Sequence, residues 1–106
     1  MGTLSIEYDK SILTVRCDII TYIEYDRQRN KITIKSSDGS LNVGADFPSK
    51  VSVKEGTDIY LKLCEYVFYG QAKYGENYRV TLRYNGVGID MVGDTASKAT
   101  PEIKEI

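Results

Sequence analysis

At 106 residues, 42% of them apolar and 27% charged, the chain has the composition of one folded domain with room for a core but not for a deep catalytic cleft. A formal charge of −1 lacks the cationic excess of a general phosphate-backbone binder. Without histidine it lacks the side chain best suited to proton transfer near neutrality, and two cysteines without a CxxC do not make an ordinary zinc site. In chain order the pattern reads as short strands. "TLSIEY" sets Leu4, Ile6 and Tyr8 on one face, and "LTVRCDI" alternates Leu13, Val15, Cys17 and Ile19 against Thr14, Arg16 and Asp18. In "CDIITYIEYDRQ" the β-branched and aromatic residues favour strand over helix. "KITIK" and "SLNVGA" continue the alternation, then "VSV" and "DIYLKLC", with Ile59, Leu61 and Leu63 facing one way. "YVFYGQAKY", "YRVTLRY" and "VGIDMV" complete the series.

The breaks carry turn chemistry. Asn85–Gly86 in "YNGV" suits a type I′ hairpin between "YRVTLRY" and "VGIDMV", and Asp38–Gly39 in "SSDGS" is a second candidate. No stretch presents a clear helical stripe, so about eight short strands predict an all-β barrel or sandwich. The expected domain covers residues 1–94. Residues 95–106, "TASKATPEIKEI" after its first turn to small and polar residues, read as a loose tail. No apolar run approaches the roughly 20 residues that cross a bilayer, and no signal peptide is apparent. The expectation is a cytoplasmic protein without membrane contact.

Candidate chemistry is sparse. Asp9, Asp18, Glu24, Asp26, Asp38, Asp46, Asp58, Glu65, Asp90 and Asp94 are scattered and read as a solvated surface. Cys17 is expected inside and Cys64 partly covered, both as structural thiols. Neither a catalytic residue, a cofactor nor a metal ligand is assigned. A nucleic-acid contact would use Arg79 and Arg83, with Thr81 between them and Lys73 and Lys62 nearby, and Tyr66, Phe68, Tyr69 and Tyr74 as stacking surfaces. The nine tyrosines fit a protein interface better than stacked bases, since tyrosine combines rigid contact area with a hydroxyl. A small non-catalytic binding component is the reading that the residues carry.

"EYVFYG" (65–70), followed by "YNGVGIDMVGD" (84–94), resembles the small eighth subunit shared by the eukaryotic nuclear RNA polymerases, in its shorter archaeal form. Glu65, Tyr66, Val67, Phe68, Tyr69 and Gly70 match that family's hexapeptide, and Tyr84, Gly86, Met91, Gly93 and Asp94 its later hairpin, with Asn85 in place of a glycine. "YDR" at 25–27 and Gly56, Asp58 and Leu61 are weaker echoes. The resemblance implies a closed eight-stranded barrel of the oligonucleotide/oligosaccharide-binding type. It also implies a non-catalytic subunit of DNA-directed RNA polymerase, docked chiefly on the largest subunit to support assembly for transcription. The implied docking residues are Tyr66, Phe68, Tyr69, Gly70, Tyr84 and Gly86. The family's acidic loop before the hexapeptide is missing, and its final apolar strand is not recognisable in 95–106. The alternative is a free-standing single-stranded nucleic-acid binder using Lys73, Arg79 and Arg83.

Overall fold

The computed structural model describes residues 1–84 and 87–93. Strands β1 (Thr3–Glu7) and β2 (Ile12–Arg16) form a hairpin, and a 3-10 turn at Cys17–Ile19 leads into β3 (Ile20–Asp26). Then come β4 (Lys31–Ser36) and β5 (Asn42–Asp46), a helix α1 (Val53–Tyr74), and a closing hairpin of β6 (Arg79–Arg83) and β7 (Gly88–Val92). The strands form two separate sheets, ordered β2-β1-β6-β7 and β3-β4-β5. All pairings are antiparallel except β1 with β6, which run parallel with Leu4 opposite Val80 and Ile6 opposite Leu82.

This corrects the expected all-β, eight-stranded oligonucleotide/oligosaccharide-binding barrel. The described chain is a mixed α/β domain with two open sheets and a helix of 22 residues. The helix takes in the last residue of "VSV" and the whole of "DIYLKLC" and "YVFYGQAKY", which alternation alone reads as strands. Two local signals account for it. Ser52 accepts from the Glu55 amide at 3.1 Å while Glu55 accepts from the Ser52 amide at 3.0 Å, a reciprocal capping box that satisfies donors left open at the helix start. Downstream, Gly56, Ile59, Leu63, Val67 and Gly70 recur every three or four residues and are all buried. The alternation of Ile59, Leu61 and Leu63 is misleading because Leu61 faces outward, 58% exposed. The chain leaves the helix through Gly75, whose φ of 101° lies in the region that favours glycine.

Other local expectations hold. "CDIITYIEYDRQ" supplies the 3-10 turn and β3, β6 and β7 pair as a hairpin, and Gly39 stands at φ 79° in the β4–β5 turn. Asn85 and Gly86, the proposed centre of the last hairpin, lie outside the described residues, as do Asp94 and the 95–106 segment.

A single core unites the layers. Leu4, Ile6, Val80 and Leu82 line the inner face of the four-stranded sheet, Ile32 and Ile34 come from the other sheet, and Ile59, Leu63 and Val67 from α1. Each such side chain contributes about 1.5–3 kcal/mol on burial. Phe47 and Tyr84 close one end, their rings tilted at 5.1 Å, and Tyr8 stacks on Tyr84 at 5.5 Å.

Candidate functional site

The hexapeptide Glu65–Gly70 lies wholly within α1, so its residues point around a helix rather than to two faces of a strand. Val67 and Gly70 enter the core, and Tyr66 is half-buried, edge-on to Tyr74 at 5.8 Å. Phe68 and Tyr69 remain 44% and 65% exposed. Tyr84 is buried against Tyr8 and Phe47, and Gly86 lies outside the described residues. Of the docking residues suggested by the resemblance, Phe68 and Tyr69 are therefore the ones largely exposed among the described residues.

They belong to a second stripe. Leu61, Cys64, Phe68 and Ala72 follow at intervals of three and four, which places them on one helix face, with Tyr69 beside them. This face is turned from the core toward β3 and the start of the chain, Leu61 bordering Tyr22 and Tyr25 and Phe68 bordering Met1 and Ile20. Leu61, Cys64, Glu65, Tyr69, Ala72 and Lys73 border an open groove of about 480 Å³. A second hollow, lined by Tyr22, Tyr60 and Leu61 among others, continues the surface toward β3, where Tyr22 is 43% exposed. A helix that packs only one side against a core normally turns charges to water on the other. Here a leucine, a phenylalanine and a tyrosine stand exposed among Asp58, Lys62, Glu65 and Lys73.

Polar groups border the stripe. The Tyr74 hydroxyl donates to Glu65 Oε2 at 2.5 Å, and Lys73 Nζ lies 3.5 Å from the same oxygen. The Tyr74 bond, then Lys73, holds the Glu65 carboxyl below its ordinary range. The same bond pushes the Tyr74 phenol up to about 12. Burial raises the Cys64 thiol, with a hydrogen bond from Tyr60 acting against it, so Cys64 is a poorly activated thiol at neutral pH. Cys17 is buried, and its thiol is likewise raised by burial. The two cysteines are free, one inside and one half-covered.

The nucleic-acid candidates come apart. Arg79 and Arg83 do project from the outer face of the four-stranded sheet, as their alternation with buried Val80 and Leu82 predicts. Neighbours in register on that face are Thr3, Ser5 and Glu7 on β1 and Asp90 on β7. Arg83 is paired with Asp90, and Arg16 with Asp18 at 2.8 Å, so two of the arginines on this sheet are already met by carboxylates. Lys73 sits on α1, which packs against the opposite, inner face of the sheet, and so do Tyr66, Phe68, Tyr69 and Tyr74. The expected union of basic groups with stacking rings is not formed.

Among the described residues no group of three or more Cys, Asp or Glu side chains is arranged to hold a metal ion, and no helix is long and apolar enough to cross a membrane. Comparison with protein-family models, curated proteins and solved structures finds no match for this chain. The outer stripe of α1 was legible in the three- and four-residue spacing of Leu61, Cys64 and Phe68. It was hidden because Leu61 also fits a two-residue alternation with Ile59 and Leu63.

Proposed function

We propose that this domain is a non-catalytic docking module that joins a larger protein assembly through the outer face of α1. The observation that carries the reading is the exposed apolar stripe Leu61–Phe68–Tyr69 on a helix already anchored to the core by its other side. Large rigid side chains on a preordered helix offer contact area at little further entropic cost, and such residues supply most of the affinity in helix-mediated contacts.

The role of an RNA polymerase subunit docked on the largest subunit is a narrower form of this reading. Its support is the sequence resemblance alone, and the helical setting of Glu65–Gly70 departs from the strand that the resemblance implied. Single-strand binding receives less support, because Arg79 and Arg83 are separated from the aromatic helix face and share their own face with carboxylates.

The test is to isolate the chain at native level from its own cells, with and without Leu61→Glu and Tyr69→Ser. A defined, stoichiometric protein partner is expected to co-elute with the parent chain and to be lost from the folded double variant. Recovery of DNA-directed RNA polymerase as that partner would select the narrower form. Undiminished co-elution with the variant would refute docking through this face.

A further inference from the structure

We infer that the open edge of β3, beside α1, takes an extended segment of a protein partner as an added strand, with acidic residues of that segment at the Arg27 end. The inference goes beyond docking through Leu61, Phe68 and Tyr69 and shares only Leu61 with it. β3 lies at the margin of its sheet and pairs with β4 alone, so its other side has no strand opposite. In an antiparallel ladder alternate residues turn both N–H and C=O to the same neighbour. Two of Tyr22, Ile23, Glu24 and Tyr25 therefore direct theirs to the open side. Natural edges are commonly blunted by lysine, proline or shortness. β3 contains neither residue and is the longest strand described, and its register shift falls at Ile20–Tyr22, before this run.

A hollow of about 390 Å³ runs along this edge, lined by Tyr22, Ile23, Glu24 and Tyr25 in succession and by Tyr60 and Leu61 of α1. Strand residues of both pleat directions line it, which places the hollow at the edge rather than over either face of the sheet. Tyr22 and Leu61 are exposed, and half-buried Tyr25 and Tyr60 stack at 6.1 Å, so its walls are largely apolar. Main-chain groups on one side and an apolar wall for alternate side chains on the other are what an added strand uses.

The charges select the chemistry of one end. Arg27 borders the hollow where β3 runs out into its turn. Asn30 ties that end together, its side-chain amide donating to the Val51 carbonyl at 2.8 Å and its side-chain oxygen accepting from the Tyr25 hydroxyl. Arg29 adjoins Asn30 and Lys50 adjoins Val51, while Lys54 follows Val53, whose carbonyl lies 3.5 Å from the Tyr25 hydroxyl. All four cations are exposed, and among the described residues none of them forms an ion pair. The carboxylates at this end are engaged elsewhere. Asp26 accepts from the Gln28 and Arg29 amides, Glu55 from the Ser52 amide, and Asp46 stands opposite Lys31 in register. Glu24 lies further along the hollow, so the preference for acidic residues is confined to the Arg27 end.

The experiment is selection on the full chain from a displayed library of random peptides about seven residues long, then fluorescence polarisation of those enriched. The enriched peptides are expected to alternate apolar residues and to carry Asp or Glu at one end. Tyr22→Lys, with circular dichroism to verify the fold, should weaken their binding by about tenfold or more. Should Tyr22→Lys not fold, Thr57→Arg on the facing side of α1 takes its place. N-methylation of every second peptide residue should abolish binding in one phase and be tolerated in the other, since only alternate residues bond to β3. Arg27→Glu combined with Lys54→Glu should instead select peptides with Lys or Arg at that end, a reversal that a structural defect does not produce. The inference is overturned by the absence of any enriched peptide, by binding indifferent to Tyr22→Lys and Thr57→Arg, or by an acidic preference unchanged in the Arg27 variant. Binding of an oligothymidylate in place of peptides, or self-association lost on Tyr22→Lys, would likewise overturn it. If peptide binding fails while Leu61→Glu and Tyr69→Ser still remove the cellular partner, the edge site falls and docking through α1 stands.

Discussion

Tyr78 reaches the core between two glycines that have no side chain to stop it. A Cβ on Gly70 would stand 2.4 Å from the ring and one on Gly2 only 2.2 Å, both closer than real carbon contacts allow. The ring is 3% exposed, and its hydroxyl donates to the Val67 carbonyl at 3.2 Å, so it has no easy retreat. Gly70→Ala is therefore expected to destabilise the fold by about 1–3 kcal/mol, although alanine is ordinarily the better helix former. Urea denaturation would show the midpoint falling, and a rise would mean that helix propensity outweighs the clash. At this scale the glycine of the hexapeptide has a packing purpose that its sequence context does not reveal, because Tyr78 lies beyond the end of the helix. Asp38 illustrates the opposite, a local arrangement. Its carboxylate accepts from the Ser40 amide at 2.9 Å and from the Ser36 and Ser40 hydroxyls, which lowers its pKa to about 2 and fixes the β4–β5 turn.

α1 shows how an element can be obscured by its own residues. Tyrosine, valine and isoleucine in 53–74 argue for strand by propensity, and short windows of the stretch alternate. Propensity is a weak prior, and the capping box together with the buried stripe outweighs it. "SVKE" at 52–55 is a capping-box signal that marks the helix start in the sequence itself. Ser52→Ala removes the acceptor of the Glu55 amide and should cost about 1 kcal/mol, measurable as a lower midpoint in thermal or urea unfolding. An unchanged midpoint would mean that packing alone sets the helix start. The strands were easier to read, since "TLSIEY", "KITIK" and "YRVTLRY" each keep one face buried along their length. Their hairpin partners are neighbours in sequence, with turn residues between them.

On the scale of the whole molecule, β1 is the strand on which the larger sheet depends. It lies between β2 and β6, and its parallel pairing with β6 joins the first residues of the chain to a strand that follows α1. Leu4 and Ile6 are both fully buried there. A chain that begins at Asp9 should lose cooperative unfolding, because β6 and β2 would each lose their shared neighbour and the core two of its largest inaccessible side chains. A sigmoidal urea transition at the full-length midpoint, followed by circular dichroism, would contradict this. Alternation and turn residues are enough to read most strands and the two hairpins at β4–β5 and β6–β7, because both act over a few residues. Which side of Glu65–Gly70 turns inward, the pairing of β1 with β6, and the division into two open sheets are decided only when distant segments meet. Each depends on where α1 buries its stripe, and two-residue alternation alone carries no information about that.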